Sequence, residues 1–266
     1  MDYFEKIEKK PSEDLAWNIP EQKQGSVNVI GGSVGNFKTE IKVAEFLAEN
    51  YPIKDVNVIL PNALENQLPK LPNFRFLPST ESGSFDESQE LINIFNETEF
   101  NLVLGDLSKN TVTKRALASA YKNSDSKNGG AGKSLLITRD AVEVLIDKET
   151  EKILMNESLI VFASMPQLQK LLRAIYYPKM LLLSQSLVQV AEVLHKFTLS
   201  YPMAIVTLHN EQILVAKNGE VKAMPLAKSG YNPLSFWQGE IAAKVAALNL
   251  YNPNNFIRAS VFALFS

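Results

Sequence analysis

The sequence contains no cysteine, which excludes disulfides, thiolate nucleophiles and any zinc or iron–sulfur site held by sulfur. Its two histidines, His195 and His209, are too few for a multi-histidine metal site within one chain. Only 12 of the 266 residues are glycine. That is few for an enzyme that cradles phosphates, because tight nests of backbone amides need residues without a Cβ. No charge sign dominates either: 27 Lys and Arg stand against 29 Asp and Glu, a net charge of −2. Such a balance gives no basic face for nucleic acid. No apolar run approaches the roughly 18 residues needed to cross a bilayer, and the start, MDYFEKIEKKPSED, is too charged for a signal peptide. The expected compartment is the cytoplasm, with neither membrane nor nucleic acid as partner.

What is present is an ordinary core-forming composition, 45% apolar, enough to bury one large domain at this length. Residues 1–25 read as a polar N-terminal extension with one short helix, broken by Pro11 and Pro20, and residues 26–266 as a single domain. Strands are expected at Val27–Ile30, Val56–Leu60, Phe74–Leu77, Asn101–Leu104, Leu135–Thr138, Leu159–Ala163 and Met180–Leu183. Helices are expected between them at Lys38–Asn50, Asp86–Asn96, Thr111–Tyr121, from Asp140, at Gln167–Ile175 and at Ser186–Phe197. This alternation predicts a largely parallel sheet covered on both faces. The rhythm then changes. Ala204–Thr207, Gln212–Lys217 and Glu220–Met224 are strands joined by tight turns, Asn218-Gly219 being a hairpin signal, so an antiparallel edge is expected near the C-terminus. Two helices, Phe236–Leu250 and Asn255–Phe265, close the chain.

Two glycine-bearing stretches invite a phosphate reading. In SDSKNGGAGKSLLIT (124–138), Gly132-Lys133-Ser134 has the residues of a Walker loop in the wrong context. A phosphate loop runs from strand to helix, whereas this run leaves a helix and enters the strand at Leu135, as a linker does. Gly31-Gly32-Ser33-Val34-Gly35-Asn36 is better placed. It follows a buried strand and opens a helix, where free amides and the helix dipole favour an anion or polar ligand; its spacing also suits glycines that merely adopt positive φ in a tight turn. A third stretch, Ser235-Phe236-Trp237-Gln238-Gly239-Glu240, opens a long helix. There Gly239 allows close backbone approach, and Glu240 is either a base or a charge that offsets the dipole. His195 suits the C-terminal end of its helix, His209 a turn, and Trp237 core packing more than base stacking.

Taken together, these stretches resemble the ribokinase-like superfamily, and most closely its ADP- or ATP-dependent NAD(P)H-hydrate dehydratases. VNVIGGSVGNFKTEIKVAEFLAENYPIKDVNVILP is similar to that family's first strand, G-G-S loop, helix and second strand. LVLGDLSKNTVTKRAL is similar to its G-P-G-L-G segment, keeping Gly105 and Leu107. LLITRDAVEVL resembles its D-A-D-A-L strand end, with Asp140 on the second Asp, and QGEIAAKVAAL resembles G-x-G-D followed by an alanine-rich helix, with Glu240 on the Asp. The resemblance spans most of residues 26–250. It implies a three-layer ribokinase-like α/β sandwich. It further implies catalysis by Glu240, substrate contacts from Gly31, Gly32, Ser33, Gly105 and Asp140, and nucleotide contacts from Gln238 and Gly239. ADP or ATP with Mg2+ would be the cofactor, hydrated NAD(P)H the substrate, and a homo-oligomer the expected assembly.

Other parts of the family pattern are missing. Neither Ala163-Ser164-Met165-Pro166 nor Ser184-Gln185-Ser186 supplies the family's T-P-H-x-G-E. Its Lys-Gly becomes Thr207-Leu208, and bulky Phe236 and Trp237 stand where backbone amides would meet phosphate oxygens. The chemistry needs a base and several donors on the moving charge, and replacing Asp by Glu displaces the carboxylate on a scale that costs about a hundredfold per ångström. Three readings follow: a divergent NAD(P)H-hydrate dehydratase, a catalytically silent relative that binds a nucleotide or a protein partner, and a small-molecule kinase.

Overall fold

The computed structural model describes residues 2–11, 18–108, 110–123, 133–146 and 150–265. The glycines of the 124–132 run lie outside them. Ser134, just after that run, begins a strand and not a helix.

The strands are β1 (Phe4–Lys6), β2 (Ser26–Gly31), β3 (Asp55–Pro61), β4 (Phe74–Leu77), β5 (Phe100–Gly105), β6 (Ser134–Thr138), β7 (Leu159–Phe162), β8 (Ala204–His209), β9 (Gln212–Lys217) and β10 (Glu220–Pro225). The helices are α1 (Lys38–Asn50), α2 (Gln89–Glu97), α3 (Thr111–Asn123), α4 (Thr150–Leu154), α5 (Met165–Ala174), α6 (Leu187–Ser200), α7 (Glu240–Tyr251) and α8 (Phe256–Leu264). All ten strands join one sheet in the order β1-β10-β9-β8-β7-β6-β5-β2-β3-β4. From β8 to β4 every pairing is parallel, while β9 runs antiparallel to both β8 and β10. The fold class expected from the alternation is the one observed.

Central parallel strands are buried on both faces, so their sequences are largely apolar instead of alternating; LIVF is such a run, and FNLVLG is another, interrupted by the hydrogen-bonded Asn101. Successive side chains serve opposite layers. Leu159 and Val161 pack with the apolar faces of α2, α3, α5 and α6, while Ile160 and Phe162 pack with α1, α7 and α8. Caps fix where helices begin. Ser88 Oγ accepts the Leu91 N–H at 3.2 Å, and Gln167 Oε1 accepts the Ser164 N–H at 2.9 Å.

Four expectations change. The N-terminal stretch supplies β1, which extends the sheet in parallel beside β10, with the Tyr3 ring stacked on His195 at 4.0 Å. Met180–Leu183 is not a strand. β7 and β8 pair directly with each other, which leaves no place for a strand between them, and Leu182 gives its N–H to Gln185 Oε1 at 2.8 Å. The helix expected from Asp140 is a 3-10 turn, Arg139–Leu145. The helix expected from Phe236 starts at Glu240, because Gly239 takes φ 98° and separates it from a short 3-10 turn at Ser235–Trp237.

The connection leaving β2 runs to β3 on one side, and β5 sits on the other after a crossover from β4. In an open α/β sheet such a reversal leaves a crevice at the carboxyl ends of the two strands. Gly31 and Gly105 face each other across it.

Candidate functional site

The crevice is built from the glycine turn outward. Gly32, at φ 90°, donates its N–H to the Gly105 carbonyl at 2.8 Å. Ser33 and Asn36 exchange backbone hydrogen bonds at 2.8 and 2.9 Å, closing the turn. The Ser33 hydroxyl then donates to the Asp106 carbonyl at 2.7 Å, which ties the β2 turn to the β5 loop. Val34, mostly exposed, gives its N–H to the Gly83 carbonyl at 3.1 Å.

Asp140 enters from the third neighbouring strand. Its Oδ1 accepts the Asp106 N–H at 2.8 Å and its Oδ2 the Leu107 N–H at 3.0 Å. Gly105 must lack a side chain, since at φ 110° a Cβ would stand 1.9 Å from Asp140 Oδ1. Arg139 and Asp106, both at positive φ, form a two-pronged ion pair at 3.0 and 2.7 Å. Gln167 fixes the Arg139 carbonyl from α5 at 2.6 Å. Of the expected substrate contacts, Gly31, Gly32, Ser33, Gly105 and Asp140 therefore come together, with the Asp140 carboxylate already engaged by backbone.

The amino end of α7 meets the same crevice. A Cβ on Gly239 would lie 3.2 Å from Leu104 at the end of β5, 3.2 Å from Val43 and 3.7 Å from Thr39 of α1. Glu240, half-buried, accepts the Tyr231 hydroxyl at 2.5 Å, and Lys244 lies 5.0 Å above the Tyr231 ring. Burial, then the Glu240 hydrogen bond and charge, hold the Tyr231 hydroxyl well above the usual phenol range. Burial, and after it the Glu240 charge, pushes Tyr51 up to about 12. Glu240 thus accepts a hydrogen bond from Tyr231, a side chain of its own loop, and lies within electrostatic reach of Tyr51 and Lys244.

The approach to α7 is folded in on itself. Phe236, Trp237 and Gln238 donate their N–H groups to the carbonyls of Asn232, Leu234 and Ser235 at 3.0, 3.3 and 3.0 Å. Asn232 Oδ1 accepts the N–H groups of Leu234 and Ser235, each at 2.9 Å. Phe236 is fully buried. Its ring stands 5.1 Å from Phe162 at the end of β7 and 4.8 Å from Trp237, which is 5.6 Å from Phe162. Three rings therefore pack together in the approach to α7. Gln238, exposed at the tip, has its own amide engaged.

Glu40, Asp106, Arg139, Tyr231 and Phe162 were not singled out in the sequence, yet they shape the site. Glu40 is fully buried on α1, and neither carboxyl oxygen has a hydrogen-bond partner among the described residues. Its signal was spacing: Glu40, Val43, Ala44 and Leu47 form the buried stripe of α1, an acid standing where the 3.6-residue period calls for an apolar side chain. His195 bonds the Gly219 carbonyl through Nδ1, and His209 bonds the Gln185 carbonyl at 2.8 Å, so both serve turns and strand edges. Among the described residues no group of three or more His, Asp or Glu side chains is placed to hold a metal ion. A cavity of about 1140 Å³ opens at the opposite, amino edge of the sheet, bordered by Lys9, Lys217, Phe256 and Arg258, and none of the crevice residues lines it.

No family model matches this sequence, and no curated protein matches it. Solved structures do. SMU.573 of Streptococcus mutans superposes with a TM-score of 0.65 at 13% identity, covering 97% of this chain and 88% of that one. A ribokinase-like superfamily protein of Enterococcus faecalis, EF1790, gives 0.63 at 14% identity, covering 100% and 87%. Bacillus subtilis pyridoxal kinase, solved as an ADP complex, gives 0.51 at 12% identity, covering 91% and 89%. At such identities the likeness concerns architecture, and it agrees with the sheet order, the layers and the antiparallel edge: the chain has a ribokinase-like fold.

Proposed function

We propose that this protein is a catalytically silent ribokinase-fold relative that binds a nucleotide at the β2/β5 crevice without transferring its phosphate. One observation carries the reading: Phe236, buried between Phe162 and Trp237, fills the approach to α7, and the amides of residues 236–238 are spent on their own loop. Phosphoryl transfer depends on donors aimed at the moving charge. Here those donors point inward. The binding part of the reading draws on the intact Gly31-Gly32-Ser33 turn at the switch point of the sheet, and on the ADP held by the Bacillus subtilis pyridoxal kinase of the same fold. The residues present do not form a protein-made Mg2+ site, since the described acids make no metal-holding group and Glu240 already accepts from Tyr231.

A second reading, a divergent NAD(P)H-hydrate dehydratase, is favoured by Gly239 and Glu240. The left-handed glycine lies against β5 and α1, and a half-buried carboxylate opens the helix beside it. In that reading Glu240 is the base, Gly239 and Gln238 face the nucleotide, and the crevice takes hydrated NAD(P)H. A thermal shift with ADP, ATP and NADPH tests nucleotide binding, because a ligand of the native state raises stability by RT ln(1 + [L]/Kd). Stabilisation by at least one of the three is expected. A flat response to all three at saturating concentration would remove the nucleotide from both readings.

A further inference from the structure

Glu40 is buried, and among the described residues no side chain or backbone group bonds either of its carboxyl oxygens. The charged groups that act on it are Asp106, from the loop after β5, and Arg139 and Asp140, from the turn after β6. Arg139 is committed to Asp106 by two hydrogen bonds, and both Asp140 oxygens are taken by backbone N–H groups. Burial and the Asp106 charge outweigh the pull of Arg139 and of the Glu40 backbone N–H toward the ionised form, so a carboxylate here is disfavoured.

The geometry adds a second argument, independent of charge. Glu40 Oε1 and the Gly105 carbonyl oxygen converge on the same spot: a Cβ on Gly31 would lie 2.4 Å from one and 2.5 Å from the other. Two acceptors turned to the same space repel unless a proton lies between them. A neutral carboxylic acid can donate toward that carbonyl, whose other partner is the Gly32 N–H. A carboxylate cannot.

We infer that Glu40 is a proton-dependent positioning residue: neutral, it holds the ends of β2 and β5 together beneath the Gly31-Gly32-Ser33 turn, and on losing its proton it loosens that turn and reshapes the crevice. Burial, with the Asp106 carboxylate adding to it, pushes Glu40 up to about 8, which places the change just above neutrality. The device belongs to the turn itself and operates with or without a nucleotide, so its failure and the failure of the nucleotide reading are separate events.

The test needs no ligand. In isotope-labelled protein, the Glu40 carboxyl carbon and the backbone amides of Gly31, Gly32, Ser33 and Gly105 are followed by NMR from about pH 6 to about pH 9.5, a span that brackets the shifted titration. The carboxyl carbon and the Gly32 and Gly105 amides are expected to move together with one midpoint near 8. In Glu40→Gln, whose carboxamide is a permanent donor, those amides are expected to hold the low-pH positions of the wild type throughout. A carboxyl carbon titrating near the ordinary 4.5, Gly32 and Gly105 amides that do not follow it, or the same transition in the glutamine variant would each overturn the inference. If the variant does not fold, the wild-type carboxyl carbon and amides decide alone.

Discussion

Asp140 and Gly105 stand so close that a Cβ on the glycine would lie 1.9 Å from Asp140 Oδ1, the atom that also accepts the Asp106 N–H. The pair fixes the loop that forms one wall of the crevice, so the wall depends on both residues at once. Gly105→Ala is expected to cost about 2 to 4 kcal/mol, from a side chain forced to positive φ and from overpacking. Asp140→Ala is expected to cost about 1.5 to 3 kcal/mol through its lost charge-assisted hydrogen bonds. Because the second change removes the atom with which the first collides, the double variant should be less destabilised than the sum. Denaturant unfolding of the four proteins checks this, and strict additivity would show that the two residues do not share the wall as described.

The aromatic plug makes a separate prediction. Phe236→Ala removes a fully buried ring packed on Phe162 and Trp237 and is expected to lower stability by about 3 to 5 kcal/mol, as large-to-small changes in tight cores do. A loss below about 1 kcal/mol, measured by chemical denaturation, would mean that the ring does not fill the approach to α7.

Glu40 makes stability depend on pH, and the sign follows from its raised titration. Between about 4.5 and about 8 the folded protein keeps a proton that the unfolded chain has released, so stability falls as pH rises through that window and levels off above it. The contribution from this one group approaches about 1.4 kcal/mol per pH unit. In Glu40→Gln the slope contributed by this group should vanish, leaving the variant increasingly favoured over the wild type toward pH 8. Parallel unfolding curves for the two proteins across that range would contradict it.

The N-terminal strand offers a fourth check. Tyr3 stacks on His195, and Lys222 pairs with Glu5 and Glu220 at the sheet edge. Tyr3→Ala should speed amide exchange in Phe4–Lys6 and in Val221–Ala223 opposite them, at a modest cost of about 1 kcal/mol. Exchange unchanged at these positions would mean that the stack does not hold the strand.

The layered architecture was legible because the signals that set it are local. Apolar runs such as LLIT and LIVF, turn residues such as Asn218-Gly219 and alternating periods each determine one element, and their order leaves few topologies. The Gly31-Gly32-Ser33 turn was legible for the same reason. Met180–Leu183 misled because an apolar run of strand length needs a place in the sheet, and β7 and β8, its neighbours in sequence, pair with each other. The limits of the candidate site have the same origin. Asp140 could be located from its strand end, but its engagement by the Asp106 and Leu107 amides depends on a neighbouring strand. Glu40 and Asp106 are separated by 66 positions in the chain and meet only because β2 and β5 lie side by side.

The most direct test of the account is turnover of hydrated NADPH in the presence of ADP or ATP, measured for the wild type and for Glu240→Ala. If Phe236 and Trp237, packed on Phe162 ahead of α7, leave no working phosphate site, as the silent reading holds, both proteins should convert substrate no faster than a protein-free blank. Nucleotide-dependent conversion by the wild type that disappears in Glu240→Ala would contradict the silent reading and restore Glu240 as the base of a working dehydratase.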